Sequence, residues 1–532
     1  MKFMATMALT RSHAAFSWGW GAVAALLVAA FAWSHRQVVP AEDAVILYEY
    51  AKNLAQTAMI TYGGSVTPIE GATDFLWMVV IAALNRVGVD EYMAALLLNG
   101  AAAATLLLMT PGNRGRLLAL IGLLCTPYLY ASVAGFSALF FALGFVLLIA
   151  HRGASAPRFY LLTLLLCLVR PDGVVWCAAA ICLRLFGEQG PVLRRDASAE
   201  WRAAFWWWVL PGCVYFCARW AYFGEFLPLP FYVKAGGHRD WLLFFPESVR
   251  DVWLALFPVL VTVLAWRRTR PAWWHLLMLV VLPAAFYSAV RLEQNIGNRF
   301  LAPMYFGVAF WLAQQKDLRT SAIFVLLSIS MSWNVTKQTL ADVIRSPSEN
   351  VLSIAKSLAP FKGRMLTTEA GRLTYYSGWD VHDSWGLNTP KFAVRPLASA
   401  DLDEVNYDLI VGHCDIGLYQ AAHAWTVEPS KSWDMQCRTM ANRLMRGDYT
   451  LFLVPFTRED SLQVQRRVRR AERLVPDLSG ACKRHDVYAV REGFVHSTDV
   501  KAVLLSRGAI PLSSLNARVE RDLVCSSSPI RP

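Results

Sequence analysis

The order of apolar and polar positions divides this chain into two parts. Apolar segments near 17–33, 91–110, 117–131, 134–150, 158–170, 173–187, 203–222, 249–266, 273–290, 299–314 and 319–336 follow one another with short polar breaks. Several reach the roughly 18–20 residues that an α-helix needs to cross a bilayer. Segment 73–87 is apolar but short and carries Asp74, Asn85 and Arg86, so it reads as a helix lying in the membrane interface. Beyond about 337 the pattern changes. Runs at 364–368, 408–412, 449–455 and 487–491 are rich in β-branched and aromatic residues and predict strands. Helical patterns alternate with them, one at 461–475 with Val464, Val468, Ala471 and Val475 at helical spacing. The expectation is a polytopic α-helical membrane domain over 1–336, with about 11 transmembrane helices, and an α/β domain over 337–532.

Composition sharpens the class. Of the 532 residues, 56% are hydrophobic and only 17% charged, which excludes an ordinary soluble protein of this length. The net charge of +12 is not a nucleic-acid signal, because many of the basic residues sit in short breaks between apolar runs. Arg114, Arg116, Arg152, Arg194, Arg195, Arg267, Arg268, Arg270, Lys316 and Arg319 are examples. Such loops face the cytoplasm. This orientation places the N-terminus inside a bacterial cytoplasmic (inner) membrane and the C-terminal domain on the extracytoplasmic, periplasmic side. A span at 73–87 would reverse every later loop. The first apolar segment follows Lys2 and Arg11 without a clear small-residue cleavage site, and reads as an uncleaved span.

The cysteines form two sets. Cys125, Cys167, Cys177, Cys182, Cys213 and Cys217 lie in apolar runs, where they pack as small hydrophobes. Cys414, Cys437, Cys482 and Cys525 lie in the polar part and permit three pairings. Proximity in sequence predicts Cys414–Cys437 and Cys482–Cys525.

The candidate chemistry begins at Glu42 and Asp43, just past the first apolar segment. Carboxylates beside a membrane are costly to bury, and in a cleft they make candidate bases. A close pair pushes its two pKa values apart. The plain alternative is a solvated acidic helix start. Tyr48, Tyr50, Lys52 and Asn53 follow on a helical pattern. The run Arg466, Arg467, Arg469, Arg470 and Arg473 reads as a solvated helix face, with contact to anionic headgroups as the alternative.

Several segments, in order, carry a resemblance. Glu42-Asp43-Ala44 with Tyr50-Ala51-Lys52-Asn53-Leu54, then Ile69-Glu70-Gly71-Ala72-Thr73-Asp74-Phe75-Leu76-Trp77, come first. Arg170-Pro171-Asp172-Gly173, Tyr222-Phe223-Gly224, Leu227-Pro228 through Tyr232-Val233-Lys234, and Asn298-Arg299-Phe300-Leu301-Ala302-Pro303 follow. Tyr375-Tyr376-Ser377-Gly378-Trp379 and Gly386-Leu387-Asn388 complete the series. Together they resemble the motifs of GT-C membrane glycosyltransferases, above all the actinobacterial terminal arabinofuranosyltransferases and their bacterial relatives. The chain departs from that pattern at Glu42, where the family has Asp, and at Ala72, Asp74 and Phe75. It departs again at Leu229-Pro230, at Gly135-Phe136-Ser137 and at Arg291-Leu292-Glu293. These positions line the sugar and acceptor region of the family, so substrate identity does not carry over.

The resemblance implies an inverting transfer of a sugar, arabinofuranose or another pentose, from a polyprenyl-phosphate donor to an extracytoplasmic glycan, lipid or protein acceptor. It implies Asp43 as base, with Glu42 tuning it or holding the acceptor. Such a displacement also needs positive charge on the departing phosphate. Lys234, Arg299 and Arg170 are the candidates, with snorkelling to headgroups as their plain alternative. Asp172 is read as a partner of Arg170 or a helix cap. Tyr232 and His238 are candidate sugar contacts, and Glu70 and Asp74 are second-rank acids or helix caps. No Cys/His spacing suits a zinc site. A divalent cation bridging carboxylate and phosphate needs only one or two protein acids, and that option stays open. The absence of a Gly-rich phosphate loop argues against a nucleotide-sugar donor. Two other classes compete: a flippase for lipid-linked sugars, which predicts two related halves that the sequence does not display, and a non-catalytic envelope-assembly subunit.

Overall fold

The computed structural model describes residues 26–187, 190–193, 197–235, 246–265, 270–290, 292, 294–346, 349–414, 433–444, 446–455 and 485–514. The chain divides into two compact units. The first comprises 1–40, 74–218 and 239–344; the second comprises 41–73, 219–238 and 345–532. The division expected near 336 thus falls at 344/345, and the second unit also takes in two earlier stretches. Those stretches hold Glu42, Asp43, Glu70, Tyr232 and Lys234.

The first unit is helical apart from a short hairpin of β1 (Phe186–Gly187) and β2 (Gly190–Leu193). Three described helices, Glu91–Met109, Pro246–Ala265 and Leu318–Arg345, are long and apolar enough to cross a membrane. A fourth crossing is possible by length if Asn113–Cys125 and Pro127–Val133, which meet at 61°, count as one bent span. The bend has a local cause. Thr126 precedes Pro127 and is held extended (φ −108°, ψ 160°), as a residue before proline prefers. Shorter apolar helices of 10–17 residues include Phe75–Arg86, Ala138–Ala150, Ala156–Val169 and Gly173–Leu185. Asp90 starts the Glu91–Met109 helix by accepting the N–H groups of Tyr92 (3.0 Å) and Met93 (3.1 Å). The core is built from Phe141, Phe145, Trp176, Leu276, Tyr305 and Trp311, among others. Gly122 admits the Tyr305 hydroxyl where any Cβ would collide with it.

The second unit is built on a six-stranded sheet. Its strands are β3 (Arg364–Thr367), β4 (Asp380–Asp383), β5 (Leu409–Gly412), β6 (Tyr449–Pro455), β7 (His485–Arg491) and β8 (Ile510–Pro511). They lie in the order β4-β3-β5-β7-β6-β8. β3 runs parallel to β4 and β5, whereas β5–β7, β7–β6 and β6–β8 are antiparallel. The four expected strands are present within one or two residues; β4 and β8 were not expected. β5 is buried along its whole length, the signature of a strand covered on both faces. One face packs Leu366, Ile410, Leu453 and Ala489, the other Met365, Leu409, Phe452 and Tyr488. The Cys414–Cys437 disulfide is formed and ties the end of β5 to the Trp433–Leu444 helix. Cys482, Cys525, the 461–475 helix and its arginines lie outside the described residues.

Candidate functional site

Glu42 and Asp43 form the first turn of the Glu42–Thr57 helix, where a negative charge suits the helix dipole. The Glu42 carboxylate accepts the backbone N–H groups of Gly371 (2.5 Å) and Arg372 (2.9 Å). The Arg372 guanidinium lies 3.8 Å from it and also pairs with Glu349. A side chain at 371 would strike the Glu42 carbonyl, so the close approach requires glycine. Burial raises the Glu42 pKa; Arg372 and the two N–H groups oppose the rise, and the Asp43 charge adds to it. Glu42 is therefore a fixed, partly neutralised neighbour of Asp43 rather than a second mobile acid.

Further titratable groups lie at the strand ends, near enough for the Glu42 charge to act on Glu369. Glu369 follows β3, His413 follows β5, and Asp486 is the second residue of the antiparallel β7. The His413 Nδ1 lies 2.9 Å from Asp486 Oδ1 and 3.9 Å from Glu369 Oε1. Burial, then the charges of Glu42 and Asp486, push the Glu369 carboxyl up to about 8. Burial also raises Asp486, against its bond to His413. Burial alone would lower His413, but the bond to Asp486 and the two nearby carboxylates raise it. None of these three groups stood out in the sequence. The signal that was there is positional: Glu369 and His413 directly follow the expected strands at 364–368 and 408–412, and residues after neighbouring parallel strands gather at one edge of a sheet.

The motif segments of this unit interlock. Gly71 N–H donates to the Tyr50 hydroxyl (3.0 Å), which donates to Asn388 Oδ1 (3.0 Å). Asn388 is in turn held by Asp383, through its backbone N–H (3.0 Å) and its side-chain amide (3.2 Å). Burial pushes Asp383 up to about 6 despite these donors. Tyr48 meets Tyr375 edge-on at 6.5 Å, and Lys52 lies 5.1 Å from the Tyr375 ring centre.

Glu70 is neither free nor a helix cap. Arg219 donates to both of its oxygens at 2.7 Å and to the carbonyls of Phe226 (2.8 Å) and Glu225 (3.0 Å). Burial raises the Glu70 pKa and Arg219 draws it back. The pair braces the segment leading into the Leu229–Ala235 helix, which contains Tyr232 and Lys234. The Tyr232 hydroxyl accepts the Leu227 N–H at 3.2 Å. The Lys234 side chain and His238 fall outside what the structure describes.

In the first unit, Arg170, Arg299 and Asp74 come together although the sequence spreads them over more than two hundred positions. Arg170 donates to Asp172 through Nε (2.9 Å) and Nη2 (3.1 Å) and lies 3.6 Å from Asp74. Asp74 also accepts Ser137 Oγ (3.0 Å), one of the positions where the family pattern is broken. Asp172 therefore pairs with Arg170; it starts the Gly173–Leu185 helix without capping it. Asp74 likewise makes no side-chain cap for Phe75–Arg86. Both guanidinium groups lie over the Phe300 ring, Arg170 at 4.7 Å and Arg299 at 4.9 Å, a geometry that tolerates two cations by the ring quadrupole.

The loop before Arg299 is bent into left-handed conformations at Gln294, Gly297 and Asn298. Such strain persists only where neighbours enforce it. Asp251 does so by accepting the Asn295 amide at 2.9 Å, and Arg299 donates to the Gln294 carbonyl. Asp251 and Asn295 carried no sequence signal.

Among the described residues, no group of three or more His, Cys, Asp or Glu side chains is disposed to hold a metal ion. Compared with models of known protein families, with curated proteins and with solved structures, the chain matches none.

Proposed function

We propose that this chain is an integral membrane glycosyltransferase of GT-C type. It would move a sugar, arabinofuranose or another pentose, from a polyprenyl-phosphate donor to a glycan, lipid or protein acceptor outside a bacterial cytoplasmic membrane. The full reading includes about 11 spans and an extracytoplasmic α/β domain. The observation that carries it is the interlocking of motif segments hundreds of residues apart. Tyr50, Gly71 and Asn388 share one chain of hydrogen bonds. Motifs that merely occur in order need not meet; these do.

In this proposal Asp43 takes the proton of the acceptor hydroxyl as its oxygen attacks the anomeric carbon. The bond to the donor phosphate breaks on the opposite face, and configuration inverts. Glu42, immobilised by two N–H groups and Arg372, positions the first helical turn and discourages ionisation of both acids at once. Arg170 and Arg299 are the anion ligands of the first unit, and Lys234 is a third candidate cation. The phosphate leaves with its negative charge, which is where fixed cations have most effect on rate.

The test is direct. The purified full chain in nanodiscs is given synthetic polyprenyl-phosphate sugars and a panel of acceptors, with Asp43→Asn alongside. Turnover by the native chain and its loss in the variant support the proposal; equal turnover removes Asp43 as the base.

A further inference from the structure

Two cysteines that the sequence placed among small packing residues touch each other in the first unit. The Ala156–Val169 and Gly173–Leu185 helices form a hairpin closed by the turn 170–172. Glycine at 173 lets them approach: a Cβ there would lie 2.5 Å from the Leu166 carbonyl oxygen and 3.2 Å from the Cys167 Cα. Within this hairpin the Cys167 thiol donates to the Cys177 sulfur at 3.7 Å, and the Cys177 thiol donates to the Thr163 carbonyl at 3.4 Å. Trp208, on the π-helical turn Phe205–Val209, hydrogen-bonds the Cys167 sulfur. Turns of this kind recur at functional sites. The two thiols differ in access: Cys177 is fully buried, whereas Cys167 is half-buried. Oxidation of a thiol follows its exposure, so Cys167 reacts first and Cys177 stands behind it.

We infer that Cys167 and Cys177 are a redox modification site, a dithiol that hydrogen peroxide closes reversibly into a disulfide. This does not depend on the sugar-transfer reading. Peroxide is small and uncharged, and so enters an apolar interior. In the first step the Cys167 sulfur bonds to one peroxide oxygen as the O–O bond breaks. The departing hydroxide takes the Cys167 thiol proton and leaves as water, and Cys167 becomes a sulfenic acid. In the second step the Cys177 sulfur attacks the Cys167 sulfur. The S–S bond forms, the S–O bond breaks, and the hydroxide leaves as a second water with the Cys177 proton. Each sulfur gives up one electron and each peroxide oxygen gains one. The cysteines are 10 positions apart, and the loop that the bond closes holds Arg170 and Asp172. Trp176, beside Cys177, donates to the Tyr287 hydroxyl (3.1 Å), which donates to Asp172. Oxidation therefore staples the turn that presents the Arg170–Asp172 pair.

The test treats the full chain in nanodiscs with hydrogen peroxide, then unfolds it, alkylates it and cuts it with trypsin. Cleavage after Arg158 and Arg184 releases 159–184 whole, because trypsin does not cut between Arg170 and Pro171. This peptide holds Cys167, Cys177 and Cys182. In the native chain its mass should fall by two hydrogens, and it should take up one alkyl group, on Cys182, in place of three. Dithiothreitol should restore all three. In Cys177→Ser a sulfenic acid should persist at Cys167 and be trapped by dimedone, and in Cys167→Ser the Cys177 thiol should survive peroxide. Three alkyl groups after peroxide, a bond that includes Cys182, or equal dimedone labelling of Cys167 with and without Cys177 overturns the proposal. The native-chain measurement needs no variant, so misfolding cannot imitate its result. Amide exchange at Arg170 and Asp172 should slow in the oxidised chain and recover on reduction. Unchanged exchange beside a formed bond overturns the staple.

Discussion

Both units bury matched ion pairs, Glu70–Arg219 being one in the second, but around its acidic motif the second unit also gathers acids in excess of cations. In the first, Arg184 and Arg170 are each paired directly with acids. Arg184 donates to both oxygens of Glu200 (2.8 and 2.9 Å) and to the carbonyls of Arg152 and Ala154, and Arg170 is matched by Asp172 and Asp74. In the second, three carboxylates, Glu42, Glu369 and Asp486, share one arginine and one histidine. Matched pairs hold a fixed state of charge, because removing either partner strands the other in a poor solvent. An acid-rich group cannot ionise completely and so retains a proton near neutral pH. The first arrangement keeps its charges fixed; the second holds a proton that can come and go near neutral pH.

The largest expected effect probes the acid-rich side. Asp43→Asn should lower the rate of sugar transfer by about 10²–10⁴-fold, while proteolysis and thermal unfolding of the chain stay unchanged. A parallel loss of stability would make Asp43 structural and erase the contrast.

The matched side is next. Arg184→Ala should destabilise the first unit by about 3–5 kcal/mol by stranding Glu200, read as a fall in thermal unfolding temperature in detergent. Replacing both residues by apolar ones should recover much of the loss. No recovery would mean that the contacts to Arg152 and Ala154, not charge matching, carry the effect.

A smaller effect comes from the bond that anchors the acid-rich edge. Cys414 and Cys437 are 23 positions apart, and opening such a loop typically costs about 2–4 kcal/mol. Cys414→Ser should lower the unfolding midpoint of the second unit accordingly. It should also change the titration of His413, its immediate neighbour, while a change in stability alone would separate the disulfide from the acids.

The smallest effect is on pH dependence. Glu369 keeps its proton in the folded chain up to about 8, whereas an unfolded glutamate loses it near 4.5. Between those values the folded state binds more protons, so stability falls as pH rises through the window. Asp383, raised to about 6, acts in the same direction over a narrower range. Unfolding temperatures measured across this range should fall towards alkaline pH, and Glu369→Gln should flatten the curve. An equal slope in the variant would place the retained proton elsewhere.

Much of the architecture was legible before any coordinates. The strands at 364–368, 408–412, 449–455 and 487–491 were readable because β-branched and aromatic residues concentrate there, and Cys414–Cys437 because the two thiols are near neighbours in the chain. β4 was missed because three of the four residues of Asp380–Asp383 are polar and the strand holds only by pairing with β3. The site was legible in part. Glu42, Asp43, Arg170 and Arg299 were singled out from their motifs, but Glu70 was not linked to Arg219, nor Glu42 to Arg372. Those partners are 149 and 330 positions apart, and no local pattern encodes a distance of that kind.

The sequence by itself determined the apolar segments that fold as helices, four of the sheet's six strands and where the acidic and basic candidates lie. Those properties follow from periodicity and solvent preference, which act over a few residues. Only the tertiary structure decided which charges are matched and which compete. A carboxylate's protonation depends on the field and the dryness of its surroundings, and chain segments with no sequence relation to one another supply both.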